Sequence, residues 1–318
     1  MSVIPTFQLN DGRNIPAIAF GTGTALWRKN ATASVLRAIE GGFNHIDTSS
    51  LGGNEDSVGE ALRQVFGETG AVEEEETELE KRKSGRLARE DIWVTTKLGG
   101  GMNVDAEEAL DIGLKKLGLS YVDLYLINWP EFTPDILKTW SELERAQAHG
   151  KAKSIGVSNF NIDQLKLIVE HCKVLPAVNQ IRFHPYDYHA HELAELLDYA
   201  NSHGIRIESY SGLASITKLP GGPVDGIVKD IAQRLGSEVT PAQVLMSWIR
   251  AKGVVIVTTT SRKERIQEYQ NAFKLPPLTD KDVCAIDEAG KHPPPAYDPQ
   301  LYVQSHGKKL LGYLNQSN

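Results

Sequence analysis

The sequence predicts a closed (β/α)8 barrel, the TIM barrel fold of the α/β class, preceded by an N-terminal β-hairpin. Its length of 318 residues suits one such barrel, and eight short apolar segments alternate with segments of helical periodicity. The apolar segments show little alternation with polar residues, as expected of parallel strands that are buried on both faces. Eight strand–helix units favour closure of the sheet into a barrel over an open sheet.

The elements follow one another in a regular order. The chain begins with a hairpin pattern, in which Asn10, Asp11 and Gly12 form a turn between two short apolar runs. The predicted strands lie at 17–22, 44–47, 92–97, 122–128, 153–158, 177–181, 205–209 and 254–258. The predicted helices lie at 32–39, 57–66, 106–117, 134–148, 162–172, 191–203 and 241–251. Thr240 and Pro241 mark the start of the last helix, since threonine caps helices and proline suits the first turn.

We expect residues 1–318 to form one barrel domain with two additional segments. Residues 68–89 form a charged insertion, which we interpret as a surface loop or a solvated helical excursion. Residues 291–318 form a C-terminal tail, which either lies over the barrel mouth and shapes substrate choice or is a plain surface segment.

Composition excludes several classes of function. A hydrophobic content of 41% is typical of globular proteins, and no apolar run of about 18 residues predicts a membrane span. The N-terminus lacks the features of a signal peptide, so we expect a cytoplasmic protein. The net charge of −7 argues against nucleic acid as a partner. Cys172 and Cys284 are expected to be small buried residues, and the absence of heptads favours a monomer.

Unusual polar residues stand at the ends of four predicted strands, where barrel enzymes place their chemistry. No metal-ligand spacing is present. The segments are His45-Ile-Asp47-Thr-Ser-Ser-Leu-Gly52-Gly-Asn54-Glu55, Thr95-Thr-Lys97, Asp123-Leu-Tyr-Leu-Ile-Asn128-Trp-Pro130 and Gly156-Val-Ser158-Asn159-Phe160.

These segments resemble the signature motifs of the aldo-keto reductase superfamily. Three further motifs follow in the same order, and the similarity runs from about Phe7 to Gly290. They are Val178-Asn-Gln180-Ile, Ser209-Tyr210-Ser211-Gly-Leu213 and the segment from Thr258 to Arg265. The Thr-Thr-Ser form of the last motif resembles the ketoamide and polyketone reductase branch best known from fungi. The resemblance implies NADPH-dependent hydride transfer to the carbonyl carbon of a small molecule, with protonation of its oxygen by an acid.

The resemblance also implies which residues bind the cofactor. Ser158, Asn159 and Gln180 match the residues that bind the nicotinamide carboxamide, and Tyr210 matches the aromatic residue that stacks on the ring. The remaining matches are Thr22 near the ribose, Ser211 and Leu213 at the pyrophosphate, and Thr259, Thr260, Ser261 and Arg265 at the adenosine 2′-phosphate. Arginine pairs well with phosphate, which favours NADPH over NADH. The chain has no Gly-x-Gly-x-x-Gly fingerprint of the Rossmann type.

Two of the four catalytic positions differ from the family pattern. Asp47 and Lys97 match the catalytic aspartate and lysine, and a buried lysine needs such an acidic partner. The tyrosine that serves as the acid is replaced by Gly52, and the histidine that orients the carbonyl is replaced by Asn128. Asn128 keeps an amide donor for a carbonyl oxygen. Loss of a general acid typically costs ~10²–10⁴-fold in rate.

Three explanations of Gly52 remain open from the sequence. Lys97 protonates the substrate directly or through a water, another tyrosine or histidine enters the site, or the carbonyl reaction is lost. The corresponding functions are an oxidoreductase for a carbonyl or an activated double bond, a non-catalytic NADPH-binding sensor or partner protein, and a redox-neutral barrel enzyme that uses Lys97. Gly52 also predicts a more open pocket and a bulkier substrate.

Overall fold

Eight parallel strands form a closed barrel in the computed structural model, which describes residues 4–67, 87–99 and 104–298. The strand Val255–Thr258 pairs with the strand Ile18–Gly21 through Ile256 and Ile18, and this pairing closes the sheet. The predicted barrel is thereby confirmed. Its strands are β3 (Ile18–Gly21), β4 (His45–Asp47), β5 (Trp93–Leu98), β6 (Val122–Ile127), β7 (Ala152–Ser158), β8 (Val178–Arg182), β9 (Arg206–Tyr210) and β10 (Val255–Thr258).

The N-terminal hairpin consists of β1 (Thr6–Gln8) and β2 (Asn14–Pro16), which pair antiparallel as predicted. Leu9 and Ile15 are buried in a small apolar cluster with residues of the barrel interior, including Leu124 and Val178. The hairpin therefore covers the end of the barrel at which the strands begin. The opposite end, where the strands finish, is left for the polar residues of the strand termini.

Helices surround the barrel and bury their apolar faces against it. Trp140 and Trp248 are among the largest fully buried side chains of this outer layer. The capping threonine predicted at position 240 accepts a hydrogen bond from Gln243 N, so this helix begins as expected. The described helices are Thr32–Glu40, Glu55–Phe66, Ala106–Leu117, Ile136–Ala148, Ile162–His171, His191–Ser202, Ala214–Thr217, Pro223–Leu235, Pro241–Ala251, Lys263–Asn271 and Asp280–Gly290.

Several expectations need correction or fall outside the described residues. The helices at 214–217, 223–235, 263–271 and 280–290 were not predicted. The prediction that Cys284 is buried is wrong, because its helix turns Ile286 and Ala289 to the core and leaves Cys284 exposed; Cys172 is half-buried. Of the charged insertion at 68–89 only 87–89 are described, and of the tail at 291–318 only 291–298. Within the described part of the chain, no helix is both long and apolar enough to cross a membrane.

Candidate active site

The ends of β4, β5 and β8 bring Asp47, Lys97 and Gln180 into one buried polar cluster. The Lys97 ammonium donates hydrogen bonds to Asp47 Oδ1 at 2.6 Å and to the Thr48 carbonyl oxygen at 3.0 Å. The side chains of Lys97 and Asp47 are only 7% and 5% exposed. An ammonium has three N–H groups, and the third one of Lys97 has no acceptor among the described residues. One N–H group therefore remains available to an oxygen atom in the site.

Gln180 joins this ion pair to a second carboxyl group. Its amide nitrogen Nε2 lies 2.9 Å from Asp47 Oδ2 and 2.6 Å from Glu208 Oε2. Glu208 pairs with Gln180 in the β8–β9 register and is fully buried. Burial, reinforced by the charge of Asp47, raises the pKa of Glu208 to about 8. The carboxyl group thus carries its proton at neutral pH.

Sequence reasoning missed Glu208, although a signal was present. A carboxylate lies within the apolar strand predicted at 205–209, two residues before Tyr210. Acidic side chains are almost never fully buried without a partner, so a glutamate at this position indicates a polar partner inside the barrel. Its hydrogen-bond partner, Gln180, lies on the neighbouring strand β8, and the pattern of β9 alone does not disclose this contact.

The residues matched to the nicotinamide carboxamide lie together. Ser158 Oγ and the Asn159 backbone N–H both donate to the Gln180 carbonyl oxygen, at 2.8 and 2.9 Å. Tyr210 donates its hydroxyl proton to Asn159 Oδ1 at 2.7 Å. Asn159 Nδ2 donates to the Asn128 carbonyl oxygen at 2.9 Å. These contacts unite the ends of β6, β7, β8 and β9 at one side of the barrel mouth.

Two of these loop residues have a left-handed backbone. Asn159 has a φ of +66° and Ser211 a φ of +58°, a region that residues other than glycine adopt infrequently. Asparagine tolerates this conformation better than serine does. Such positions persist where the surrounding structure fixes them, and they are concentrated at functional sites.

Thr22 and Asn54 form a polar support below the loop that carries Gly52. The Thr22 backbone N–H donates to the Asp47 carbonyl oxygen at 2.9 Å, and its hydroxyl donates to Thr48 Oγ1 at the same distance. Asn54 Nδ2 donates to the carbonyl oxygens of Thr22 and Leu26, each at 3.0 Å. Thr22 and Asn54 are fully or almost fully buried, so the loop that carries Gly52 is firmly held at its base.

Gly52 lies in a short 3-10 helix, Ser50–Gly52, and is buried. Its backbone N–H donates to Ser49 Oγ at 3.1 Å. A Cβ atom at this position would lie 3.2 Å from Asn54 Oδ1 and 3.4 Å from Ser49 Oγ. The free space expected from glycine is therefore already partly filled at the point where a side chain would start.

Asn128 follows β6 and is 8% exposed. Its carbonyl oxygen accepts the bond from Asn159, while its side-chain amide makes no hydrogen bond to another described residue. The amide is therefore available to a bound oxygen, and its role in orienting a carbonyl group stays a prediction.

The segment after β10 has the properties of an anion site. The helix Lys263–Asn271 begins without a side-chain cap, so backbone N–H groups at its start remain available to an anion. Thr259 Oγ1 is buried and has no hydrogen-bond partner within the described part of the chain. Thr260 Oγ1 accepts from the Arg262 N–H at 3.0 Å, while Ser261 is exposed.

Arg265 lies in the first turn of the same helix and is half-buried. It approaches the Tyr269 hydroxyl, whose pKa is raised because burial outweighs the effect of the guanidinium. Arg265 thus lies on the first turns of the helix that starts at the proposed phosphate position.

Ser211 and Leu213 form the loop after β9. The Ser211 carbonyl oxygen accepts a bond from the Ala214 N–H at 2.8 Å, and Leu213 precedes the short helix Ala214–Thr217. Leu213 packs against the hydrophobic core. No cluster of potential metal ligands is present among the residues that the structure describes.

A further polar cluster, which the sequence did not indicate, anchors the start of the C-terminal tail. Asp187 accepts hydrogen bonds from Arg182 and from the Tyr297 hydroxyl. His184 Nε2 lies 3.1 Å from the same carboxylate, and burial lowers the pKa of His184 to about 4. Tyr297 therefore ties the tail to the loop that follows β8.

Comparison with known proteins is consistent with this geometry. Residues 17–291 match the model of the Aldo/keto reductase family. The chain is 34% identical over 319 residues to the NAD/NADP-dependent indole-3-acetaldehyde reductase of Schizosaccharomyces pombe, covering 96% of this chain and 98% of that protein. It is 33% identical over 321 residues to the D/L-glyceraldehyde reductase of Hypocrea jecorina, covering 92% and 90%.

Solved structures of aldo/keto reductases are also similar to this chain. The Bombyx mori aldo-keto reductase in complex with NADP has a TM-score of 0.74 and 30% identity, covering 91% of this chain and 94% of that one. The aldo/keto reductase from Brucella melitensis has a TM-score of 0.73 and 30% identity, covering 90% of this chain and 100% of that one. With a family match over most of its length and relatives that align from end to end, this chain belongs to the aldo/keto reductase family.

Proposed function

We propose that the protein is an NADPH-dependent oxidoreductase that reduces the carbonyl group of a small organic molecule, with the Lys97 ammonium as the proton donor. The observation that carries the proposal is the hydrogen bonding of Lys97. Two of its N–H groups are accepted by Asp47 and Thr48, and the third has no acceptor among the described residues. A buried ammonium in this state can donate to the oxygen of a bound carbonyl compound.

The proposed cofactor site fits NADPH in the chemistry of its donors. Ser158, Asn159 and Gln180 offer hydroxyl and amide groups for the carboxamide, and Tyr210 offers an aromatic face beside them. Ser211 and Leu213 would contact the pyrophosphate, and Thr22 the adjacent ribose. NADPH, when bound, supplies the hydride that reduces the carbonyl carbon.

The 2′-phosphate is assigned to the segment after β10. The buried Thr259 hydroxyl without a partner and the uncapped helix start suit a phosphate, and so does the guanidinium of Arg265. Thr260 and Ser261 complete the segment. Its Thr-Thr-Ser sequence supports our placement of the chain in the ketoamide and polyketone reductase branch.

The protein's own residues would orient the substrate and move one proton. The Asn128 amide and the Lys97 ammonium would bind the carbonyl oxygen, which polarises the bond and fixes the carbon. As the oxygen gains charge, Lys97 Nζ transfers a proton to it and becomes a neutral amine. Asp47 then stabilises Lys97 as it regains a proton from solvent, so that one carbonyl, one hydride and one proton give one alcohol.

Aldehydes are the substrate class with the best support. Two of the relatives are an indole-3-acetaldehyde reductase and a D/L-glyceraldehyde reductase. The buried surroundings of Lys97 exclude most water, which strengthens its interaction with a developing alkoxide.

The test is NADPH oxidation with a panel of aldehydes, diketones and enones, using wild type, Lys97→Met and the exposed control Lys229→Met. We expect turnover in wild type and in the control, and a loss of ~10²–10⁴-fold in Lys97→Met. Fluorescence titration should show NADPH bound by all three. Unchanged turnover in Lys97→Met would refute the role of Lys97.

A non-catalytic NADPH-binding protein is the second candidate, favoured by Gly52, which offers no phenol to the site. Saturable NADPH binding without turnover of any substrate in the panel would select it. Turnover that is sensitive to Lys97→Met would exclude it.

A further inference from the structure

Among the described residues, the buried cluster around Lys97 holds two carboxyl groups and only one cation. Lys97 pairs with Asp47 at 2.6 Å, and Gln180 Nε2 bridges Asp47 and Glu208 at 2.9 and 2.6 Å. If both acids were ionised, the cluster would carry an uncompensated negative charge in the barrel interior, which is costly. One of the two must therefore hold a proton, as in other buried carboxyl pairs.

The contacts identify Glu208 as the group that holds this proton. Asp47 touches the ammonium directly, whereas Glu208 has only the neutral Gln180 amide at Oε2. Its other oxygen, Oε1, is buried and has no hydrogen-bond partner in the part of the chain that the structure describes. An ionised carboxylate in such surroundings would be poorly stabilised.

Within residues 4–67, 87–99 and 104–298, no second cation compensates Glu208. The charges that act on it are those of Asp47 on β4 and Lys97 on β5, while β8 contributes Gln180 and β10 contributes Val255 at the paired position. On its own strand, Arg206 donates to the Gln8 and Gly253 carbonyl oxygens, and the Tyr210 hydroxyl donates to Asn159.

One histidine also lies within the barrel, on β4. His45 Nε2 lies 2.9 Å from Thr95 Oγ1. Burial lowers the pKa of His45 to about 3, so the ring is neutral in the range in which Glu208 titrates.

We propose that Glu208 is a positioning residue of this site: its neutral carboxyl group holds Gln180 against Asp47 and keeps a second anion away from Lys97, so that the ammonium can release its proton. This inference rests on the proposed function. It assigns Glu208 no contact with substrate, because the side chain is fully buried.

A pH dependence follows from the proposed role. Because the pKa of Glu208 is about 8, the group ionises as the pH rises past that value. The added negative charge then stabilises the charged form of Lys97, which holds its proton more strongly. Transfer of that proton to the substrate oxygen should slow, and turnover should fall through about pH 8.

The central test compares wild type with Glu208→Gln from about pH 6 to about pH 10. Glutamine keeps the shape and the contact with Gln180 but cannot ionise. We expect kcat of the variant to lie within about threefold of wild type at the acidic end, and the fall centred near pH 8 to disappear. The matched control is Glu55→Gln, since Glu55 is another buried carboxyl group, bonded to Thr96 on β5. It should keep the wild-type pH profile.

A second variant tests the positioning of Gln180. Glu208→Leu removes the acceptor, so Gln180 loses one of its two contacts and NADPH should bind at least about threefold more weakly, whereas Glu208→Gln should bind as wild type does. Equal NADPH affinity in a folded Glu208→Leu protein would contradict this part of the inference.

Infrared spectroscopy of the protein without substrate separates this inference from the proposed function. Wild type should show the carbonyl band of a protonated carboxyl group that is absent in Glu208→Gln and is lost as the pH passes about 8. A missing band, or an alkaline fall of kcat that persists unchanged in Glu208→Gln, would overturn the inference. If wild type reduces no carbonyl compound, the proposed function fails, and the infrared and NADPH-binding results alone decide the state and role of Glu208.

Discussion

Tyr210 donates its hydroxyl proton to Asn159 Oδ1 at 2.7 Å, which joins the end of β9 to the loop after β7. Because Asn159 Oδ1 accepts this bond, its Nδ2 atom is the one that donates to Ser158 and to the Asn128 carbonyl oxygen. The hydroxyl of Tyr210 thus determines how the Asn159 amide is turned, and the amide in turn links the proposed nicotinamide site to Asn128.

Tyr210→Phe should weaken NADPH binding by about two- to tenfold, since it removes one neutral hydrogen bond and keeps the aromatic face. Fluorescence titration measures the change. Tyr199→Phe on the outer helix His191–Ser202 is the control and should bind as wild type does. An unchanged affinity in Tyr210→Phe would show that Asn159 keeps its orientation without the hydroxyl.

Gly52→Tyr should restore a phenol acid, although its Cβ atom would lie 3.2 Å from Asn54 Oδ1, so the loop has to shift slightly to accept it. We expect this variant to raise aldehyde reduction by at least about tenfold. Gly52→Ala adds the Cβ atom without the phenol; it is the control and should give no gain. Unchanged or lower kcat in Gly52→Tyr would mean that protonation does not limit the reaction.

Arg265→Ala should raise the Kd for NADPH by about tenfold or more, because charge-assisted hydrogen bonds to phosphate are among the stronger ones. The Kd for NADH should change little, since NADH lacks the 2′-phosphate. Lys274→Ala removes an exposed positive charge nearby and serves as the control for long-range electrostatics. Equal weakening for both cofactors would place the 2′-phosphate elsewhere.

Glu208 should also make the free energy of unfolding depend on pH. Its pKa rises from 4.5 to about 8 on folding, so between these values the folded state binds one more proton than the unfolded state. Stability therefore falls as pH rises through this window, by ~1.4 kcal/mol per pH unit. His45 and His184, whose pKa values are lowered to about 3 and about 4, act in the opposite direction and only below about pH 6.5.

The clearest interval for this measurement is therefore between about pH 7 and pH 8. Chemical denaturation should give a decline in the free energy of unfolding of wild type that Glu208→Gln lacks. Parallel curves for the two proteins would mean that Glu208 is ionised in the folded state.

Local patterns were sufficient to predict most of the barrel. The buried strands carry continuous apolar runs, and the ends of the predicted strands differ from the observed ones by at most two residues. The helix Lys263–Asn271 was missed because it buries only Ile266, Tyr269 and Gln270, which is too short an apolar stripe to reveal a period. Pro223 in the first turn of the helix Pro223–Leu235 was a start signal that went unused.

The sequence predicts which residues belong to the candidate site but not the hydrogen bonds that connect them. Asp47, Lys97 and Gln180 were identified by their motifs, yet the link from Gln180 to Glu208 depends on the register of β8 and β9. The crowding around Gly52 likewise depends on the placement of Asn54, which its bonds to Thr22 and Leu26 determine. Contacts of this kind arise from tertiary structure, and no period in the sequence encodes them.

The left-handed backbones of Asn159 and Ser211 mean that the two loops at the proposed nicotinamide position are set when the chain folds. Conformations of this type cost about 1–3 kcal/mol each, and that cost falls on folding instead of on binding. The two loop positions would therefore already have their bound conformation when a dinucleotide binds, and little binding free energy would be lost to loop ordering. Replacing Asn159 or Ser211 by glycine would lower the conformational cost of folding and weaken binding of the dinucleotide.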